Sequence, residues 1–407
     1  MSNEIKFAHL ADLHLGGWRE KVLQDLNFKT FEIAINKVIE EKFDFCLFAG
    51  DIFNSALPSL DLVEKVVRVL IKLKENNIPL YVIGGSHDYS LSQKSFIDIL
   101  ETAQVFKDVG KYKKLNKDEI ELELTQDEKT KTTIGGILGK KNGLDKNIYQ
   151  NLKEISNKEN EFKIFMFHTT LNDIKPDFLK NVQTPVSSTY LPEGFNYYAG
   201  GHVHTHIFKQ LNKNSYLSYP GPLFPNNFSE LKREKPSFNA CFFNKETKEF
   251  KIERKFIQTY EITKIQIELN EETPIKAKEK IEDKVMKENF ESKIVLLEIS
   301  GVIDGKISEI QISNISQKIY EKGALQVLKN TFKLTTTKLK ELSIEKNIPT
   351  EKIEKNIICE HSRNNNLDKK KEDKINKIFS LNLEKNIDEK NIEFEKRIIL
   401  ALKKTLE

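Results

Sequence analysis

The stretch Ile5-Lys-Phe-Ala-His-Leu-Ala-Asp-Leu-His14 decides how the rest of the chain is read. Its first half is a short apolar run, the pattern of a buried strand over Ile5–Ala8. Its second half is Asp12-x-His14, two metal-type ligands placed two positions apart just past that strand. Alternate side chains share a face of extended backbone, so the pair can point together at one ion. Four further apolar runs end the same way. Phe43–Phe48 leads into Gly50-Asp51, and Leu80–Ile83 into Gly85-Ser86-His87-Asp88. Lys163–Phe167 is followed by His168, and Tyr197–Ala199 by Gly201-His202-Val203-His204. Thr133–Leu138 reads as a sixth strand. Between them, Leu23–Glu41 and Leu60–Glu75 carry apolar residues at helical spacing; in the second, Leu62, Val63, Val66, Val67, Leu70 and Ile71 form one broad face. Alternating strands and helices predict a layered α/β domain.

In open α/β sheets ligands bind beyond the carboxyl ends of the strands. A lone histidine there is ordinarily a satisfied structural residue. Five strand ends with the same chemistry argue for convergence on one spot. Mixed Asp and His ligands suit Mn, Fe or Zn better than an all-oxygen Mg or Ca site. There are enough of them for two ions, which a shared carboxylate could hold roughly 3.5–4 Å apart, the spacing used for in-line displacement at phosphorus. The residues therefore point to a binuclear metallohydrolase.

Composition bounds the alternatives. A chain of 407 residues predicts two or three domains. The formal net charge of +4 is too small to imply a polyanionic partner, although only six of the 65 basic residues are arginine. Lysine contacts are flexible point charges, suited to sequence-independent phosphate binding; the same richness also follows from a composition heavy in Ile and Asn. Seven of the eight histidines fall within the first 206 residues, so any chemistry belongs there. Cys46, Cys241 and Cys359 are scattered, which excludes a disulfide framework and a cysteine zinc site and fits a reducing cytosol. No apolar leader follows Met1, and no run approaches the length of a membrane span. A cytoplasmic location is expected.

Three parts are expected: residues 1–255 as the α/β domain, 256–345 as a small α+β domain, and 346–407 as a linker with C-terminal helices. The second part rests on strands at Tyr260–Leu269 and Lys293–Val302 and helices at Pro274–Glu288 and Ser308–Lys322. Asn364–Lys374 reads as an exposed linker. Phe394, Ile398, Leu402 and Leu406 then fall at i, i+4, i+8 and i+12. That stripe can cap the preceding domain or dock on a partner helix.

Taken in order, Asp12-x-His14, Gly50-Asp51, Gly85-Ser-His-Asp88, His168 and Gly201-His-x-His204 resemble the five motifs of the calcineurin-like metallophosphoesterases. Flanking segments narrow this. His9-Leu-Ala-Asp-Leu-His-Leu-Gly16, Gly50-Asp-Ile-Phe53, Tyr190-Leu-Pro-Glu193, Tyr197-Tyr-Ala-Gly-Gly-His-Val-His204 and Tyr219-Pro-Gly-Pro-Leu223 are similar to the SbcD/Mre-type nucleases of double-strand-break repair, archaeal members included. The resemblance implies a four-layer α/β/β/α core of two packed mixed sheets flanked by helices, then a small capping domain and a helical tail. It implies a first metal site of Asp12, His14, Asp51 and His204. Asp51 would bridge to a second site, completed by His168, His202 and Ser86. His87 would be catalytic, facing the scissile phosphate and assisting the leaving oxygen, with Asp88 orienting His87 or capping the next helix. Two Mn ions are implied, with Mg, Fe or Zn as substitutes. The implied activities are 3′-to-5′ exonuclease on duplex DNA and endonuclease on single strands. Homodimerisation through Leu23–Glu41 and Leu60–Glu75 and an SbcC/Rad-type ABC ATPase partner on the C-terminal helices also follow.

Two departures stand out. Relatives carry asparagine where this chain has Ser86, whose hydroxyl is a weaker donor to a metal, so a looser second site is expected. Many carry histidine where this chain has Asn54, expected here to orient His87 without titrating. His9 is expected to be structural and His206 to face substrate or solvent. Two rival readings are a phosphatase or phosphodiesterase acting on small esters, and a DNA-end scaffold whose site has decayed at Ser86 and Asn54.

Overall fold

The strand expected at Ile5–Ala8 runs from Glu4 to Leu10 in the computed structural model and lies third in a six-stranded sheet. The structure describes residues 3–89, 95–116, 119–140, 146–153, 161–179, 186–337, 374, 377–378 and 391–406. Across the first sheet the order is Phe250–Phe256, Ser237–Asn244, Glu4–Leu10, Phe45–Ala49, Leu80–Ile83 and Lys107–Asp108. The last four strands are parallel, and the first two join as an antiparallel hairpin. A second six-stranded sheet runs Ile207–Asn212, Ser215–Tyr219, Tyr197–Gly201, Lys163–His168, Thr133–Ile137 and Thr125–Gln126. Both sheets are mixed, as expected of this core.

Period-two alternation splits the central strand between two layers. Ala8 and Leu10 pack with Phe48 and Val82 against helix residues Phe31, Ile35, Val38, Val66 and Leu70. Phe7 faces the other way, with Phe45, Leu47 and Tyr81, onto Ile164, Met166 and Tyr197 of the second sheet. The Phe7 ring stacks on Phe45 at 5.1 Å and meets Tyr197 edge-on at 5.4 Å, tying the sheets together. Each such buried side chain contributes on the order of 2 kcal/mol.

The outer face of the first sheet is covered by helices Lys21–Glu40 and Leu60–Glu75. The second helix starts at Ser59, whose hydroxyl accepts from the Leu62 amide at 3.4 Å. Asp61 in its first turn and Lys72 and Lys74 in its last complement the helix dipole. Five of the six residues of the expected face pack on the core, Val66 and Leu70 fully and Leu62, Val63 and Val67 partly; Val69 and Leu73 join them, and Ile71 is exposed. The outer face of the second sheet is covered differently. Among the described residues its only α-helix is the short Lys146–Gln150, which packs beside the hairpin Tyr112–Lys114/Ile120–Leu122 and loop residues Leu171, Val186 and Phe195. Those apolar residues come singly from loops, so no amphipathic period forms there.

By contact the chain divides into two compact units. One comprises Met1–Gln266, Lys284–Glu298 and Ser313–Asn330; the other comprises Ile267–Asp283, Ile299–Ile312 and Thr331–Glu407. In the first, Ile294, Leu296 and Leu328 pack with Trp18, Leu23, Phe224 and Leu231. In the second, Gly301–Ile303 pairs in parallel with Leu334–Thr336. Strands at Glu261–Glu272 and Lys293–Ile303 and helices at Pro274–Met286 and Ile312–Glu321 lie where the sequence patterns put them. The apolar stripe near the end lies on a helix, Asn391–Leu406, with Ile399 and Leu400 exposed. The expected linker Asn364–Lys374 falls outside the described residues apart from its last position, as do Cys359 and His361. No helix among the described residues is long and apolar enough to cross a membrane.

Candidate metal centre

Five strand ends meet at one point. Beyond Leu10 the chain turns through Asp12 and His14 with φ of 52° and 42°, and beyond Ala49 through Asp51 with φ of 53°. His202, past Tyr197–Gly201, has φ of 84°. Left-handed backbone at a non-glycine residue costs roughly 1–2 kcal/mol, and such strain collects at functional sites. Here it is held by a ladder between the first two turns: Asp12 N–H donates to Gly50 O at 3.1 Å, His14 to Asp51 O at 3.0 Å and Leu15 to Ile52 O at 3.0 Å. Close approach explains two glycines. A Cβ on Gly201 would lie 1.9 Å from Ala49 O, and one on Gly85 would lie 2.2 Å from Asp51 Oδ1.

The ligand atoms form two groups and a third, His14, Asp51 and His87, that shares one member with each. Asp12, His14 and His204 offer one set within 4.8 Å of one another, and Asp51, His168 and His202 offer a second. His14 Nε2 and His204 Nε2 are 3.1 Å apart, and His204 Nε2 is 3.7 Å from Asp12 Oδ1. His168 Nε2 is 3.1 Å from Asp51 Oδ2, and His14 Nε2 is 3.7 Å from that same oxygen, which places Asp51 between the groups. The histidines are aimed by their other nitrogens. His168 Nδ1 lies 2.8 Å from Ala49 O, so it carries a proton and turns the buried Nε2 inward towards Asp51. His204 Nδ1 is held in the same way by Glu230 Oε1 at 2.9 Å. Both Asp12 oxygens accept from the His202 amide, at 2.9 and 3.0 Å. Imidazoles fixed in this tautomer, facing carboxylates in a buried cleft, fit a pair of borderline divalent cations.

Residues 5–206 match the family described as calcineurin-like phosphoesterase. They form a calcineurin-like phosphoesterase domain. The chain is 30% identical over 258 residues to the DNA double-strand break repair protein Mre11 of Methanococcus maripaludis, covering 61% of this chain and 65% of that one. The Mre11 of Methanocaldococcus jannaschii is 27% identical over 67% of this chain and 70% of its own length. That of Thermoplasma acidophilum is 24% identical over 78% and 83%. The first of these alignments thus spans just under two thirds of the relative. Domain and relatives together support the SbcD/Mre-type resemblance read from the motifs.

Within the phosphoesterase domain, the remaining residues named from the sequence take these places. Ser86 Oγ donates towards Asp51 Oδ2 at 3.5 Å. The His87 amide donates to Asp51 Oδ1 at 2.8 Å, and the His87 ring packs edge-on against His14 at 4.9 Å. Asn54 orients His87 through a different atom than expected: its main-chain carbonyl, not its side chain, lies 2.9 Å from His87 Nδ1. Asp88 neither orients the His87 ring nor caps a helix. It accepts from the amides of Ile52, Phe53 and Gly85 at 3.3, 3.1 and 2.8 Å, clamping the Asp51 turn to the His87 turn. Burial, then the nearby Asp51 charge, pushes its pKa up to about 7. Glu230 is the residue that the sequence did not reveal. It lies in a charge-rich helix, Phe228–Arg233, that reads as solvated surface, yet it is buried. Its signal was the pattern Asn227-x-x-Glu230, an N-cap with an acid three residues on.

Charge is shared unevenly among the histidines. Burial pulls His168 and His204 down, but Asp51 and Asp12 outweigh it for the first and Asp12 and Glu230 for the second, lifting them to about 10 and about 9. Burial dominates at His14, pushed down to about 3. Asp51 is held below the usual carboxylate range because His168 and His14 overcome its burial. The carboxylates thus set up a field that favours the protonated imidazole at buried His168 and half-buried His204, the field a cation would meet.

His9 is structural, as expected: it is fully buried, with Nδ1 2.8 Å from the Tyr197 hydroxyl. His206 lies against Asn239 and Arg254 and belongs to neither ligand group. Burial pushes the His9 pKa down to about 3. The folded protein then keeps His9 neutral while the unfolded chain protonates it below about 6.5. Stability from this residue is complete above that pH and is lost as pH falls towards 3. About 1.5 kcal/mol should go between pH 6.5 and 5. In urea unfolding, His9→Gln should flatten that acid limb; an unchanged pH slope would remove the assignment.

Proposed function

We propose that the protein is a metal-dependent DNA nuclease of double-strand-break repair, acting as a duplex exonuclease and single-strand endonuclease with two Mn ions. The observation that carries this reading is the adjacency of the Asp12–His14–His204 and Asp51–His168–His202 groups, with Asp51 Oδ2 3.7 Å from His14 Nε2. Two cations bound there would acidify a water and neutralise a phosphodiester undergoing in-line displacement. The chain's own residues do the rest. Asp12, His14 and His204 hold one side of the centre, and His168, His202 and Ser86 hold the other. His87, anchored at Nδ1 by the Asn54 carbonyl, would pass a proton to the leaving oxygen from Nε2 of its imidazolium form. Asp88 keeps the Asp51 and His87 turns in register.

A DNA substrate is supported by the names of the archaeal relatives and by one surface feature. Arg233 lies 4.5 Å over the Phe178 ring and both are exposed, a pair suited to stacking on unpaired bases. We assign residues 256–345 to shaping the DNA and 346–407 to an SbcC/Rad-type ABC ATPase, in a cytoplasmic, nucleoid-associated complex. Homodimerisation is assigned to the apolar end of Leu60–Glu75, where Leu57 and Leu60 are three-quarters exposed (76% and 75%). A monomer at micromolar concentration in sedimentation equilibrium would remove the dimer. Co-purification of the ATPase with the full chain but not with one ending at residue 345 tests the partner.

One assay decides the function. Linear duplex DNA and a generic small phosphodiester are offered in parallel with Mn, with and without chelator. Chelator-sensitive DNA degradation is expected. Turnover of the small ester alone would replace the nuclease with a small-ester phosphodiesterase.

A further inference from the structure

The two ligand groups differ in how firmly they are built. On one side, His204 is aimed by a carboxylate. Glu230 Oε1 lies 2.9 Å from His204 Nδ1, while Glu230 Oε2 accepts from the Asn226 amide at 2.7 Å. The Asn227 side chain donates to the same carboxylate, and its Oδ1 accepts from the Glu230 amide at 3.0 Å, capping the short helix that carries Glu230. The carboxylate is buried and has three partners: His204, the Asn226 amide and the Asn227 side chain. On the other side, His168 is aimed by the neutral carbonyl of Ala49. His202 is exposed, and the Ser86 hydroxyl is turned to donate to Asp51. A carboxylate behind an imidazole raises its basicity and fixes its orientation, and removing such a partner commonly weakens metal binding 10–100-fold.

We propose that Glu230 is a positioning residue that locks His204 and makes the Asp12–His14–His204 cation site the tighter of two unequal sites. The proposal rests on the two-cation reading above. It predicts that the centre fills in order: the side backed by Glu230 first, the side facing Ser86 and His202 second.

The test is Mn2+ titration of the metal-free full chain by calorimetry, with electron paramagnetic resonance counting free ion. Wild type should show two classes of site. Glu230→Ala should weaken the tight class about 10–100-fold and leave the weak class within about twofold. Glu230→Gln keeps an oxygen acceptor for His204 Nδ1 and should fall between the two. Because Glu230→Ala also exposes the cap of its helix, metal-free melting is measured alongside, and Glu230→Gln carries the test if the alanine variant does not fold. A readout free of metal comes from ring-nitrogen NMR of the histidines. His204 should be a single Nδ1-protonated tautomer in wild type and a mixture in Glu230→Ala. An unchanged tight class in both variants, or a loss confined to the weak class, overturns the proposal and leaves the nuclease reading standing. Wild type that takes up no Mn2+ overturns both.

Discussion

Asp51→Asn should lose DNA cleavage by about a thousandfold or more and retain at most one tightly bound cation. Asp51 Oδ2 lies 3.1 Å from His168 Nε2 and 3.7 Å from His14 Nε2, so this one carboxylate serves both ligand groups. Asparagine tolerates the left-handed backbone found there (φ 53°), and its oxygen can still accept from the His87 amide. The substitution therefore keeps the turn and removes only the negative charge and the second donor oxygen. Loss of a shared cation ligand forfeits several kcal/mol of transition-state stabilisation, and about 4 kcal/mol corresponds to a thousandfold. Metal content by mass spectrometry, paired with the DNA assay, reads the result. Two retained ions with near wild-type cleavage would show that Asp51 does not join the groups.

His87→Ala separates two roles that geometry alone leaves together. The His87 ring packs on His14, and one of its nitrogens falls within the 4.8 Å cluster of His14 and Asp51. A proton donor to the leaving oxygen and a third ligand would both sit there. If His87 works by proton transfer, cleavage should fall about 100- to 10,000-fold while both ions stay bound. If it is a ligand, metal and activity should leave together. The Asn54 carbonyl holds a proton on Nδ1 in either case, so it fixes the ring's orientation and leaves the metal count to decide between the two. Asn54→Ala should cost little, since it leaves that carbonyl in place.

How far the sequence disclosed this centre depended on whether chemistry was written in side chains or in the backbone. Asp12, His14, Asp51, His168, His202 and His204 were legible because each is an uncommon residue type placed directly after an apolar run. The central strands were legible for the same reason: burial on both faces leaves runs such as Phe45-Cys-Leu-Phe-Ala49 without polar interruption. The hairpin strand Ile207–Asn212 was not singled out, because it is a mostly exposed edge whose Lys209 and Gln210 break any pattern. The Asn54 contact uses an atom that every residue has, and no sequence can advertise it. The role of Asp88 is hidden in sequence because two of its three donors, the Ile52 and Phe53 amides, belong to a turn about 35 residues away. Glu230 was hidden by its neighbours: among Lys232, Arg233 and Glu234, one more charge looks like surface.

Neither sheet carries a complete set of ligands. The first sheet contributes Asp12, His14 and Asp51; the second contributes His168, His202 and His204. The Asp12–His14–His204 and Asp51–His168–His202 groups each draw from both, so the centre straddles a seam. The gauge of that seam is set by Phe7, wedged between Phe45 and Tyr197. An aromatic ring in the dry interior thus works as a ruler for the distance across which two cations would have to cooperate.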